Sequence, residues 1–101
     1  MTESKPARVM RDGKVAVIVS PGYGAGWSTW NNPEDCFDAV VIAWIEGGKV
    51  GDPLPAGDGR YQGGLRKATI DWILPGTKFR IDEYDGHESL VTEQQHEWLV
   101  A

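Results

Sequence analysis

A segment rich in glycine and aromatic residues, Pro21 to Asn32, holds the densest group of residues suited to ligand binding. It combines alternating glycines, aromatic rings and hydrogen-bonding side chains: Gly22, Gly24 and Gly26; Tyr23, Trp27 and Trp30; Ser28, Thr29 and Asn31. Alternating glycines let a ligand approach the backbone closely, and their amides can form a nest around an anion. Aromatic rings can stack on a nucleobase. We therefore expect this segment to bind a nucleotide-like small molecule.

The segment matches neither of the common phosphate-binding motifs. No lysine follows the glycines as in a P-loop, and their spacing differs from the dinucleotide fingerprint. A second interpretation stays open, because aromatic residues in a short chain commonly complete the core. Under that interpretation Trp27 and Trp30 are scaffold, and the segment is not a site.

A second candidate lies in a glycine-rich stretch further along the chain. Arg60 and Tyr61 are adjacent there, and an arginine beside a tyrosine suits a phosphate joined to a base. Arg80, on a neighbouring strand or subunit, would add a further phosphate contact. The alternative for Arg60 and Tyr61 is a solvated loop.

Candidates for catalysis are weaker. The acidic stretch Phe79 to Glu88 does not match a calcium-binding loop and is typical of a solvated hairpin end. His87 and His96 are the only histidines and both lie in polar segments. Cys36 sits in the first turn of an expected helix, where amide dipoles can lower a thiol pKa, but a small buried residue is the simpler interpretation. We expect no enzyme, no metal site and no cofactor.

The elements that must position these residues follow from periodicity. Lys14 to Ser20 is almost continuously apolar and β-branched, which predicts a central strand buried on both faces. A helix is expected from Asn32-Pro33 to Gly47-Gly48. Its apolar stripe is Phe37, Val40, Val41, Trp44 and Ile45. Gly47 to Gly64 reads as a long loop.

The second half of the chain predicts strands and tight turns. Strands are expected at residues 67–74, 78–84 and 89–92, with a last short strand at 98–100, unless residues 93–100 form a helical turn. Pro75-Gly76 and Asp85-Gly86 mark the turns. The fold class predicted is α+β, an antiparallel sheet of four or five strands with one α-helix packed on a face. Residues 1–12 are expected to be a flexible arm and residues 13–101 a single domain.

Composition excludes several classes of function. The chain has 101 residues with ten basic and fifteen acidic side chains, a net charge of −5, which argues against direct nucleic-acid binding. No apolar run is long enough for a membrane span, and the N-terminus lacks a signal-peptide core, so we expect an intracellular protein. The single cysteine excludes an internal disulfide. Because a domain this small has little stability to spare, we expect a homo-oligomer.

Part of the chain resembles a group of small proteins encoded in tailed-phage genomes. The resemblance rests on residues 13–32, with the run Gly22-Tyr23-Gly24-Ala25-Gly26-Trp27-Ser28-Thr29-Trp30, and on residues 61–89. It implies a phage accessory protein that acts in the cytoplasm of the bacterial host. Small phage proteins of this kind often counter host immunity, an association rather than a physical argument.

Three functions are compatible with these features. The first is a non-enzymatic counter-defence protein that sequesters a nucleotide-like immune signalling molecule. The second is a protein-binding inhibitor of a host immune effector, such as an anti-CRISPR or an acidic nucleic-acid mimic that uses the carboxylates of residues 32–58 and 82–97. The third is a minor virion or structural protein.

Overall fold

The computed structural model describes residues 8–22, 26–54 and 57–92, and this part of the chain has an α+β fold. The helix and strands are β1 Met10–Arg11, β2 Lys14–Val19, α1 Ala39–Glu46, β3 Thr69–Ile73, β4 Phe79–Tyr84 and β5 His87–Thr92, with 3-10 turns at Pro33–Phe37 and Leu65–Lys67. The α+β class is confirmed. The described strands form two antiparallel sheets, β1-β2-β3 and the hairpin β4-β5, where the sequence predicted one.

Strand β2 is the centre of the molecule, as its unbroken apolar run predicts. It pairs with β1 on one side and β3 on the other, with Ile18 opposite Ile70. Ala16 and Ile18 face the cluster that contains α1, whereas Val15 and Val17 face Phe37 and the hairpin. Since successive side chains of a strand point to opposite faces, one strand supplies both cores. The described part of the chain is therefore layered as helix, sheet and hairpin.

The prediction of a single helix from Asn32 to Gly47 is wrong, because the helix is interrupted at Asp38. Residues Pro33–Phe37 form a 3-10 turn, and Asp38 then caps α1 by accepting hydrogen bonds from the amides of Val40 and Val41. This break resets the helical phase. Val40, expected in the buried stripe, is 57% exposed, while Ile42 is 1% exposed.

Part of the segment expected to be a flexible arm belongs to the sheet instead. Met10 and Arg11 pair with Val15 and Lys14, so residues 10–11 belong to the sheet rather than to an arm. The Val9 carbonyl accepts a hydrogen bond from the Ala16 amide at 2.9 Å. Residues 1–7 lie outside the described part of the chain.

The turns of the second half are confirmed, and they place the hairpin. Gly76 has φ 81°, the conformation that the third position of a type II turn requires. Asp85 and Gly86 both have positive φ, as in the tight turns that close hairpins. Strand β3 begins at Thr69, two residues later than the predicted start at Lys67. The strand or turn expected at 98–100 falls outside the described residues.

The helical register predicts opposite results for two neighbouring aliphatic residues. Ile42→Ala should lower the free energy of unfolding by about 2–5 kcal/mol, because it leaves a cavity in the core. Val40→Ala should change it by less than about 0.5 kcal/mol, since the side chain is mostly exposed. Urea unfolding of both variants measures the difference. Equal losses at the two positions would contradict the break at Asp38.

Candidate functional site

The carboxylate of Glu88 occupies the middle of the segment in which the sequence predicted a ligand. Glu88 lies on β5 and is only 1% exposed. Its oxygens accept hydrogen bonds from the backbone amides of Ser20 at 2.9 Å, Trp27 at 2.7 Å and Thr29 at 3.2 Å. The Thr29 hydroxyl donates a further hydrogen bond to the same carboxylate. The backbone amide of Glu88 donates to the Ser20 carbonyl at 2.8 Å.

We call the donors from Ser20, Trp27 and Thr29 the amide nest. The sequence predicted that amides of the glycines would surround a ligand anion, whereas the amides seen to converge are those of Ser20, Trp27 and Thr29, and the anion is a side chain of the same protein. Converging amides suit a carboxylate for the same reason that they suit a phosphate. The nest therefore joins the segment to the hairpin, and a ligand anion would have to displace Glu88 to enter it.

Glycines of the segment are needed for close contact rather than for positive φ. Neither Gly22 nor Gly26 has a positive φ in the structure. A Cβ atom at Gly26 would lie 2.9 Å from the Trp30 ring, and one at Gly64 would lie 2.6 Å from the Gly26 carbonyl oxygen. Gly26 therefore lets the Trp30 ring lie against its own segment, and Gly64 lets residues 60–64 pack directly against that segment. Tyr23 and Gly24, both expected in the site, lie outside the described residues.

Carboxylates also fill the helix starts that follow the segment. An oxygen of Asp35 accepts from the Asn32 amide at 3.1 Å, and Asp38 caps α1. The positive end of the helix, which we expected to attract a phosphate, is therefore already matched to negative side chains of the chain.

Arg60 is held by three carboxylates. It donates to Asp58 through Nε at 2.8 Å, and through Nη1 to Asp35 and Asp38, both at 2.9 Å. The hydrogen bonds with Asp58 raise the pKa of Arg60, and the same contacts hold the pKa of Asp58 below its usual value. Three carboxylates around one guanidinium would repel an incoming phosphate. Arg60 was predicted to be a phosphate ligand, but in the structure it joins two segments of the chain.

Trp27 belongs to the core. It is fully buried in the cluster with Ile18 and Ile42, and its indole Nε1 donates to the Asp35 carbonyl at 2.8 Å. A ring with no exposed surface cannot stack on a ligand without a rearrangement. The scaffold interpretation therefore describes Trp27.

Trp30 and Tyr61 form an exposed aromatic pair. Their ring centroids are 4.8 Å apart, and the two residues are 42% and 43% exposed. Asn31 holds them together, because its amide nitrogen donates to the carbonyls of Trp27 and Tyr61, both at 2.9 Å. Its Oδ1 accepts from the Tyr61 amide at 3.1 Å. Asn31 is thus engaged in joining the two loops, and the aromatic pair lies at the surface.

The candidate site is a cleft of about 540 Å³ beside the amide nest. It brings together four of the residues that the sequence predicted: Ser28, Thr29, Asn31 and Arg80. The other walls come from the start of the described chain, the 3-10 turn and strand β4: Arg8, Pro33, Glu34, Cys36, Phe37, Phe79 and Ile81. Small-molecule sites commonly have volumes of about 300–1,000 Å³. The cleft is therefore large enough for a nucleotide-sized ligand.

Two arginines give the cleft its positive charge. Arg80 is paired through Nε with Asp82 at 2.8 Å, and its Nη1 makes no hydrogen bond to a described residue. Arg8 lies 4.0 Å from the centre of the Phe37 ring, and its ion pair with Glu34 is long, at 3.9 Å. The Ser28 hydroxyl, in a residue that is 3% exposed, also has no partner among the described residues. The Nη1 group of Arg80 and the Ser28 hydroxyl can therefore contact an anion without losing a hydrogen bond to a described residue.

Cys36 lines the same cleft as a buried thiol. It is 2% exposed, which confirms the interpretation as a small buried residue. Burial raises the pKa of the Cys36 thiol to about 12, against the lowering expected at a helix start. A thiol with this pKa is protonated at neutral pH and is a poor nucleophile.

The sequence alone does not identify several of the cleft residues. Arg8 falls in the segment expected to be a flexible arm, and Phe37 falls in the apolar stripe of the expected helix. Phe79 and Ile81 were recognisable as one face of an alternating strand, but the sequence does not tell which element that face meets. Conversely Gly22, Trp30, Arg60 and Tyr61 are not among the cleft-lining residues.

The described residues contain no helix long and apolar enough to cross a bilayer. The same ranges hold no group of three or more His, Cys, Asp and Glu side chains placed to bind a metal ion. Comparison of the chain with protein-family models, with curated proteins and with solved structures returns no match. The role of the site therefore has to be argued from its own geometry.

Removing the charge of Glu88 should destabilise the protein strongly. Glu88→Gln replaces one acceptor oxygen by a donor, so it leaves buried amides of the nest unpaired. We expect a loss of at least about 2 kcal/mol in the free energy of unfolding. Glu46→Gln, at an exposed ion pair with Arg11, is the matched control and should cost less than about 1 kcal/mol. Similar losses in urea unfolding would show that the nest is not a main support of the fold.

The raised pKa of Cys36 predicts its reactivity. Alkylation of the native protein by iodoacetamide should be far slower than alkylation in urea at any pH between 7 and 10, because the native thiol ionises only near pH 12. In urea the rate should level off above about pH 8.5, as for an unperturbed thiol, whereas the native rate should still rise with pH there. A native rate that levels off at the same pH as the unfolded one would place the thiol in solvent.

Proposed function

We propose that this protein binds a nucleotide-like anion in the cleft and sequesters it without chemical conversion. The observation that carries the proposal is the meeting of Ser28 and Thr29 with Arg8 and Arg80 around one cavity of about 540 Å³. Arginine is well suited to phosphate, since its planar guanidinium can donate two parallel hydrogen bonds.

The charge distribution supports the cleft over the other predicted positions. Glu88 fills the amide nest, and Arg60 is held by three carboxylates. Among the anion-binding features that the sequence predicted, Arg80 keeps a donor group that no described residue engages. A ligand phosphate would therefore meet less competition in the cleft than at those positions.

The same residues favour binding over catalysis. Cys36 is the thiol that lines the cleft, and its pKa of about 12 makes it a poor nucleophile at neutral pH. No described histidine lines the cleft, so the described walls lack the side chain whose ordinary pKa best suits a general base at neutral pH. Sequestration requires only affinity, which ring contacts and charge-assisted hydrogen bonds supply.

The biological setting of the proposal comes from the resemblance to small tailed-phage proteins. In that setting the ligand is a nucleotide-like immune signal, and the protein lowers its concentration in the host cytoplasm. The expected homo-oligomer belongs to the same proposal, because a second copy could cover the open side of the cleft.

The alternative of a protein-binding inhibitor is favoured by one observation at the hairpin end. Tyr84 is 78% exposed and lies beside the exposed acidic residues Glu83 and Asp85. Exposed tyrosines are common at binding hot spots. An acidic mimic has less support, because Asp35, Asp38 and Asp58 are already paired with Arg60. If the hairpin binds a protein partner, Tyr84→Ala should weaken that binding. Titration with nucleotides should then show no binding.

Calorimetric titration with linear and cyclic nucleotides and ADP-ribose derivatives tests the proposed function. At least one of them should bind, and Arg80→Gln should weaken that binding about tenfold or more, because a charge-assisted hydrogen bond is lost. Arg66→Gln, at an exposed arginine that does not line the cleft, should leave affinity unchanged. No heat with any member of the panel, or equal effects of the two variants, would refute the cleft as the site.

A further inference from the structure

A second cavity of about 230 Å³ adjoins the cleft. The two spaces share Arg8, Phe37 and Phe79, which line both. The remaining walls of the second cavity come from the end of β3 and the turn that follows, together with Val15 of β2. Because three residues border both spaces, the two spaces are direct neighbours.

The shared boundary is aromatic and carries one cation. Phe37 and Phe79 meet edge to face, with ring centroids 5.9 Å apart and planes at 89°. The Arg8 guanidinium lies 4.0 Å above the Phe37 ring. A planar ring that passes this boundary would contact aromatic faces and edges, and such contacts favour aromatic over aliphatic groups.

The chemistry of the two spaces differs. The cleft holds Arg80 and the hydroxyl of Ser28, whereas the second cavity has Arg8 as its only charged lining residue among those described. Aliphatic side chains of Val15, Ile73 and Leu74 also line it. A second charged group is therefore better placed in the cleft, and a ring can contact the aliphatic side chains of the second cavity.

The size of the second cavity fits one ring system. The second cavity is open to solvent on one side, and its volume of about 230 Å³ is larger than the ~150 Å³ closed cavity that holds benzene in a protein core. A whole nucleotide needs the larger cleft as well.

We propose that the second cavity is a ring-binding subsite, so that the ligand is a phosphate monoester or diester that carries a planar aromatic ring. The phosphate lies in the cleft beside Arg80 and Ser28, and the ring lies beyond Phe37 and Phe79 against Ile73 and Leu74. This inference rests on the proposed function, since it assumes that the cleft binds the anion. It adds that the ring, and not only the charge, selects the ligand.

Two simple probes separate the subsite from the anion site: phenyl phosphate and methyl phosphate. Both carry the same charged group, but only the first carries a ring. We expect phenyl phosphate to bind at least tenfold more tightly than methyl phosphate to the wild-type protein. Thr77→Phe, which fills the second cavity from its wall, should reduce that ratio to less than twofold. Ser89→Phe adds the same ring at an exposed position on β5 and should leave the ratio unchanged.

Nuclear Overhauser effects on the wild-type protein give a second measurement that needs no variant. Protons of the phenyl ring should show contacts to the methyl groups of Ile73 and Leu74. Equal affinity for the two probes, with Arg80→Gln weakening both, would overturn the ring subsite and leave the proposed function standing. Binding of neither probe at millimolar concentration would overturn both. Ring contacts to Trp30 and Tyr61 instead would move the ring to the exposed aromatic pair and reject the second cavity.

Discussion

The buried carboxylate of Glu88 is the interaction on which the other contacts of this small fold depend. It lies on the hairpin β4-β5 and accepts from the amides of Ser20 and Trp27, so one side chain joins the hairpin to the end of the central strand. Without it the amides of a buried turn would have no partner, at a cost of about 1–3 kcal/mol each. The cleft lies where that turn meets β4, and its shape therefore depends on the Glu88 side chain staying in place.

A consistent pattern links Glu88 with two other features. The glycine-rich segment, the helix start and Arg60 are all suited to an anion, and each is matched to a carboxylate of the chain itself: Glu88, Asp38 and Asp58. Such pairs join residues 57–64 to the turns around them. The guanidinium groups of Arg8 and Arg80 instead border the cleft.

Local signals in the sequence were sufficient for most of the fold. The unbroken apolar run of β2 and the two glycine turns of the second half depend on neighbouring residues, and both were predicted correctly. The break at Asp38 was not, because Asp38 caps a helix in the middle of an apolar pattern that continues through it. The Asp38 side chain also accepts a hydrogen bond from Arg60, which lies 22 residues further along the chain. No local sequence pattern contains that contact.

The candidate site was only partly predictable for the same reason. Residue types around Trp27 predicted that backbone amides would surround an anion. The anion that the structure places there is Glu88, which lies 61 residues further along the chain. Sequence spacing could not identify Glu88 or the amides that bind it. Trp27 and Trp30 look alike in the sequence, yet one is fully buried and the other 42% exposed. Their difference arises from packing of the segment against α1 and against Tyr61, which is tertiary information.

The most direct test of the cleft as the binding site is a titration of the ¹⁵N-labelled protein with adenosine monophosphate, followed through its backbone amide resonances. We expect the resonances of Ser28 and Arg80 to shift with the nucleotide, while those of Ser20 and Trp27, held by Glu88, stay in place. Large shifts at Ser20 and Trp27 would show that the phosphate displaces Glu88 from the amide nest. That result would contradict the assignment of the cleft as the binding site.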